Sequence, residues 1–156
     1  MSELTHIDRD GNAVMVEVGE KAITAREATA EGWIELSPEA FTAVTEGRIK
    51  KGDVLAIAQL AGIQAAKRTS DIIPLCHPIP IDGVKVEVEA GEGAKIHVRS
   101  RVRCSWKTGV EMEALTATSA ALLTVYDMVK AIDKGMVIGP IHLVEKAGGR
   151  SGHWVR

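Results

Sequence analysis

An α+β fold built on one antiparallel sheet is predicted by three features of the sequence. Val84, Val86 and Val88 alternate with Lys85, Glu87 and Glu89. After the turn Gly91-Glu92-Gly93, Ile96, Val98, Val102 and Cys104 alternate with Lys95, His97, Arg99, Arg101 and Arg103. A period of two over both arms is a β-hairpin with one buried and one charged face. Ala-rich stretches bounded by helix start signals lie on either side of it. The resulting order is strand, helix, helix, hairpin, helix, strand, the split β-α-β pattern of ferredoxin-like type with one extra helix and the helices on one face.

Taken in order, residues 1–20 form an arm with a polar turn at Asp10-Gly11-Asn12 and a short alternating MVEV, and its order is left open. Residues 21–36 contain Ile23, Thr24, Trp33 and Ile34 and read as the first strand. Ser37-Pro38 is a helix start, an N-cap hydroxyl followed by Pro at the first helical position, and Gly47 suits its stop. A second helix covers roughly Asp53 to Thr69 with Gly62 in its middle. Glycine there costs about 1 kcal/mol against alanine, which predicts that another backbone approaches closely. Pro74, Pro78 and Pro80 then enforce an extended loop. Thr108-Gly109-Val110-Glu111 matches a capping box and opens a long helix to about Asp133, where Gly135 closes it. Met136–Lys146 reads as the closing strand, and Gly148 leads into a tail. The whole chain, 1–156, reads as one domain whose ends, 1–20 and 147–156, need not be ordered.

Composition excludes several functions. Nineteen basic against twenty-one acidic residues leave a net charge of -2, which argues against a general nucleic-acid binder. With only five aromatic residues (3 Trp, 1 Tyr, 1 Phe) a base-stacking platform is improbable. No apolar run approaches the ~20 residues that span a bilayer, and the N-terminus has no signal-peptide pattern, so no membrane partner is expected and the cytoplasm is the default location. Two lone cysteines supply neither a disulfide framework nor a zinc pair. The hydrophobic residues are dominated by 20 Ala and 16 Val. A core of such small side chains buries little area per residue, which predicts a homo-oligomer.

Candidate chemistry lies where residues break a local rule. Lys50-Lys51 precedes the second helix, where a cation opposes the macrodipole and a lysine pKa should fall. Asp127 sits within the last two turns of the long helix, where a cation is preferred, and Lys130 follows at i+3. The plain alternatives are solvated lysines and a surface ion pair. Pro74-Leu75-Cys76-His77-Pro78 is a stiff loop holding a thiol and an imidazole. Neighbouring Cys and His side chains point apart, so Cys76 reads as a small hydrophobe and His77 as the better candidate. Lys67-Arg68 adds positive charge upstream, and the Arg row of the hairpin could bind phosphate, although cross-strand pairing with the Glu row is the simpler reading. Glu111 has capping duty; Glu113 has none. Fourteen residues separate Glu113 from Asp127, or about 21 Å along a helix axis, and Lys51 and Lys67 flank their own helix at about 24 Å. One compact site cannot gather these groups within one subunit, which points to a site between subunits. There is no P-loop, no GxGxxG turn and no HExxH motif.

The strings KKGDVLAIAQLAGIQAAKRT (50–69), IPLCHPIPI (73–81), KTGVEMEALTA (107–117), YDMVKAIDKGMVIG (126–139) and EKAGGRSG (145–152) closely resemble the cyclic pyranopterin monophosphate synthase family, MoaC, of molybdenum cofactor biosynthesis. LTHIDRDGNAVMVEV and KAITAREATAEG fit as well, so the resemblance covers nearly the whole chain. It implies a ferredoxin-like subunit in a hexamer, a trimer of dimers with sites at dimer interfaces. The implied reaction is a lyase step that converts 3′,8-cyclo-7,8-dihydro-GTP to cyclic pyranopterin monophosphate with release of pyrophosphate. By the same resemblance Asp127 is the acid/base with Lys130 beside it, and Lys51 is the catalytic lysine. Leu75, Cys76, His77, Met112 and Glu113 bind substrate, and Arg26, Lys67 and Lys146 surround the phosphates. No resident cofactor is implied; Mg²⁺ could arrive on the triphosphate. Trp106 and the ending HWVR match no motif position. A nucleotide-binding sensor without chemistry, and a structural subunit of a larger complex, are the competing readings.

Overall fold

The computed structural model describes residues 6–156. Five strands form one sheet: β1 (Thr24–Glu35), β2 (Gly83–Ala90), β3 (Lys95–Trp106), β4 (Val137–Ala147) and β5 (His153–Val155). Their spatial order is β2-β3-β1-β4-β5, and every neighbouring pair is antiparallel. The first four strands thus have the ferredoxin-like arrangement that the element order predicts. The helices are α1 (Pro38–Thr45), α2 (Val54–Ala66), α3 (Thr69–Ile72) and α4 (Glu111–Val129). Three of them make the crossover from β1 to β2, and α4 makes the crossover from β3 to β4. Packing of α2 on α4 and β2, and of α4 on β1 and β3, covers one face of the sheet. No described helix is long and apolar enough to cross a membrane.

Local chemistry accounts for most boundaries. Ser37 Oγ accepts from the Ala40 amide at 3.3 Å, with Pro38 opening α1, and Asp53 Oδ1 accepts from the Ala56 amide at 3.1 Å to cap α2. The second helix ends sooner than its sequence predicts: a turn after Ala66 separates it from the four-residue α3. Thr69 Oγ1 donates to the Ala65 and Ala66 carbonyls and ties that junction together. A Cβ on Gly62 would stand 3.0 Å from the Ala117 carbonyl oxygen of α4 and 3.1 Å from a Val86 methyl. The close backbone approach predicted there is therefore present. Gly62→Val should force the two helices apart and cost about 2–3 kcal/mol, read as a lower urea midpoint.

On β3 the inward positions are Ile96, Val98, Ser100, Val102 and Cys104, all buried. Ser100 interrupts the apolar series at no cost because its hydroxyl lies 2.6 Å from the Ala114 carbonyl and 2.7 Å from Thr118 Oγ1 on α4. The opposite face carries the charge, but the Arg row finds its partners on β1. Arg99 lies 3.3 Å from Glu31, and Arg101 lies 2.7 Å from Glu27. In β2, Lys85 takes Glu87 along its own strand instead. The hairpin's Glu row is thus not the Arg row's main counterpart, because β3 lies between β2 and β1 and its long arginines reach either side.

Two further boundaries differ from the sequence reading. Val110, not Thr108, precedes the first turn of α4, and no side chain caps that terminus. The capping box does not form because the Glu111 carboxylate is drawn to Lys146 Nζ at 2.8 Å. At the other end α4 stops at Val129, and Asp133 instead accepts from the Ser37 amide at 2.8 Å. The tail carries an additional strand, with His153, Trp154 and Val155 paired to Ala147, Lys146 and Glu145. Its exposed, three-residue length leaves no hydrophobic alternation to detect.

Candidate active site

The C-terminal end of α4 and the loop before α2 build the first cluster. Lys51 Nζ donates to Asp127 Oδ2 and to the Asp127 carbonyl, both at 2.9 Å. Lys130 Nζ donates to Asp127 Oδ1 at 2.6 Å. Each carboxylate oxygen thus has its own ammonium. The placement resolves both anomalies of the sequence. Lys51 leaves the positive end of α2 and settles at the negative end of α4, where a cation is favourable. Asp127, unfavourable there alone, is outweighed by two cations. Hydrogen bonds from Lys130 first and Lys51 second pull its carboxyl down to about 2, and the same bond raises Lys130. The cluster borders a cavity of about 410 Å³ that Tyr126 and Lys134 also line. Three ammoniums to one carboxylate leave an anion-seeking pocket with protonated lysines at its edge.

A second cleft, about 1400 Å³, opens at the other end of α4. Lys21, Arg26, Lys107, Lys146 and Arg150 converge on it from three separate stretches of chain. Arg26 projects from β1, and its Nη1 and Nη2 donate to the Gly148 and Lys107 carbonyls at 3.4 and 3.3 Å. Its buried Nε has no hydrogen-bond partner among the described residues. A Cβ on Gly149 would overlap the Arg26 guanidinium at 1.7 Å, so the Gly148-Gly149 turn closes around that side chain only because it is bare. The uncapped N-terminus of α4 borders the same cleft through Gly109 and Glu111 and adds to its positive field.

Between the two ends, Glu113 is almost fully buried at 3% exposure. Burial, with Glu111 adding a little, raises its carboxyl to about 7. The charge of Glu113 also reaches the half-buried Cys76, whose thiol is raised by burial first and Glu113 second. This places the Leu75–His77 loop beside the start of α4. Leu75, His77 and Met112 are half-buried as well. His77 Nε2 lies 2.7 Å from the Val16 carbonyl, so it donates to the N-terminal arm. Lys67 is exposed at the C-cap of α2 and lines neither cavity.

The structure therefore gathers Lys51, Asp127 and Lys130 at one end of α4, and Arg26 and Lys146 at the other. Glu111 and Asp127 are sixteen residues apart on that helix, about 24 Å along its axis. A single chain does not bring the two groups together.

Comparison with known proteins supplies the context for this divided layout. The MoaC family model matches residues 15–149. A cyclic pyranopterin monophosphate synthase from Thermomicrobium roseum is 56% identical over 157 residues, which cover 100% of this chain and 95% of that protein. This chain belongs to the MoaC family. The family match runs through every segment that supplies a cation to either cavity, from Lys21 to Lys146, and stops one residue before Arg150. Four lining cations of this MoaC-family chain were not singled out from the sequence: Lys21, Lys107, Lys134 and Arg150. Lys107 opens the KTG string and Arg150 lies within GGRSG, so their motifs were visible. Their convergence was not, because it depends on β1, β4 and the α4 terminus meeting in space.

Proposed function

We propose that this chain is a cyclic pyranopterin monophosphate synthase, a lyase of molybdenum cofactor biosynthesis. Its substrate is 3′,8-cyclo-7,8-dihydro-GTP, and its products are cyclic pyranopterin monophosphate and pyrophosphate. The carrying observation is the Lys51–Asp127–Lys130 cluster, in which one carboxylate orients two ammoniums at the edge of a cavity. The near full-length relationship to a protein of that name supports the same reading.

The residues divide the work by their chemistry. Ring opening, reclosure and cyclic phosphate formation are proton transfers and phosphate positioning. Lys51 and Lys130 are fixed on the two oxygens of Asp127, where their N–H groups can hydrogen-bond to developing anions. Asp127 raises Lys130, which suits it to keep its charge beside such an anion. A carboxyl at about 2 is a poor base, so Asp127 serves better as the group that orients both lysines than as the acceptor. Arg26, Lys107 and Lys146 neutralise the triphosphate and the departing pyrophosphate, Arg through its fork and Lys as point charges. Mg²⁺ arrives with the triphosphate rather than residing in the protein. Glu113, Met112 and the Leu75–His77 loop take the ring system.

The separation of the two groups along α4 favours a site completed by a second copy, with the lysine cluster of one subunit facing the cationic cleft of another. The proposed assembly is a hexamer, a trimer of dimers, in the cytoplasm. Two observations support assembly. The sequence of α2, VLAIAQLAGIQAA, is apolar nearly all round, yet Leu60 is 66% exposed on it. Leu123 of α4 is 60% exposed nearby in the same helical layer.

Incubating the purified full-length chain with the cyclised dihydro-GTP tests the reaction. Stoichiometric pyrophosphate and the cyclic phosphate product are expected with no other protein present. Recovery of the compound unchanged would instead favour a nucleotide-binding sensor. Light scattering on the same sample should report six subunits; an active monomer would remove the shared site.

A further inference from the structure

Residues 16–20 form one wall of the cationic cleft, and a few polar contacts hold them there. His77 donates to the Val16 carbonyl at 2.7 Å. Lys107 Nζ donates to the Gly19 carbonyl. The Lys21 amide donates to the Val18 carbonyl at 3.1 Å and closes a turn. Packing is limited to the half-buried Val16 and Val18: Glu17, Gly19 and Glu20 are exposed, and Val14 and Met15 beside them are 41% and 47% exposed. A segment held by so few buried contacts opens at low free energy.

The side chains that this wall brings to the cleft are Glu17 and Glu20. They add two carboxylates to the lining of a cleft that Glu27 and Glu111 already border. Glu17 Oε1 accepts from the Gly19 amide at 2.6 Å, so its charge stands in the cleft wall and not on a lysine or arginine. The anchors are also cleft or substrate groups. Lys107 spends its ammonium, and His77 its ring N–H, on neutral backbone carbonyls. A phosphate oxygen is a stronger acceptor than a carbonyl for either donor, because the acceptor is then an anion.

We propose that residues 16–20 are a releasable strap that closes the cleft while no polyphosphate is bound and is expelled when one enters. Lys107 exchanges the Gly19 carbonyl for a phosphate oxygen, and repulsion from the incoming phosphates drives Glu17 and Glu20 out. When pyrophosphate leaves, the Gly19 carbonyl returns to Lys107, and the two carboxylates return to the cleft wall, where their charge opposes rebinding. The ligand class is a di- or triphosphate, free or carried on a nucleotide. The inference rests on reading this cleft as the phosphate end of the site.

The test uses the full-length protein, inorganic pyrophosphate and the double variant Glu17→Gln/Glu20→Gln. Calorimetric titration should give about three- to tenfold tighter binding to the variant, the effect of removing two solvent-exposed like charges. Hydrogen exchange of the bonded Gly19 and Lys21 amides in the unaltered protein should quicken when pyrophosphate is added. Both changes are required. Unaltered or weaker affinity, or exchange that slows on binding, makes the segment a fixed wall and overturns the strap alone. Pyrophosphate that binds neither protein removes the cleft's phosphate role and the strap with it, while the turnover assay still judges the reaction.

Discussion

Lys51→Ala is expected to lower pyrophosphate release from the cyclised dihydro-GTP by about 10²–10⁴-fold, the usual range for a positioned proton-transfer group. The side chain is half exposed, so folding and assembly should survive its removal. Asp127→Asn should be nearly as damaging for a different reason. An amide oxygen can accept from one lysine, but the NH2 end is a donor that faces the other ammonium, and the neutral group no longer balances two ammoniums 2.6 and 2.9 Å away. The pH dependence separates the groups. The Asp127 pKa is depressed from 3.8 to about 2, so whatever the ionised cluster contributes is present above about pH 3.8 and is lost only as pH falls through about 2. A decline of activity between pH 5 and 8 therefore belongs to another group. Initial rates on both variants, with circular dichroism and light scattering as controls, check these outcomes. Release at the unaltered rate by either variant would refute its assigned role.

Glu113→Gln is expected to stabilise the fold at alkaline pH while impairing substrate capture. The carboxyl is raised from 4.5 to about 7 by burial. A raised folded-state value means that its favourable protonated form is kept fully below about pH 4.5 and is lost as pH rises through about 7. Above that, the folded protein must hold a buried carboxylate. Gln cannot ionise, so the variant should match the unaltered protein near pH 4.5 and exceed it by about 3 kcal/mol at pH 8. Urea unfolding at the two pH values reads the difference directly. A stability gap that is the same at both would show that Glu113 does not titrate with folding. KM should rise in the variant above about pH 7, where the unaltered carboxyl is ionised and a neutral amide cannot replace it as an anionic acceptor.

The candidate site was legible in part, and the parts divide by physical cause. Lys51 and Asp127 stood out because each opposes a helix dipole, a conflict that can be read locally. The structure explains the conflict by a contact between residues 76 positions apart. The capping-box reading of Glu111 failed for the complementary reason. Its local rule is sound, but Lys146, 35 positions away, offers the carboxylate a charged partner. Arg26, Lys107 and Arg150 belong to three strings with nothing in common until β1, the α4 terminus and the Gly148-Gly149 turn meet.

The small-residue composition followed the same division. Ala and Val in such numbers imply a thin core and close packing, and Gly62 against the Ala117 carbonyl is where that packing is tightest. Strand period, helix starts and element order were sufficient by themselves for the α+β ferredoxin-like arrangement, because hydrophobic alternation and capping depend on neighbours a few residues apart. Only the tertiary structure decided which charges share a carboxylate, which helix end stays uncapped, that Glu113 is buried, and that the tail adds a strand. Those outcomes depend on distances between segments far apart in the chain, where Coulomb energy and desolvation outweigh any local preference.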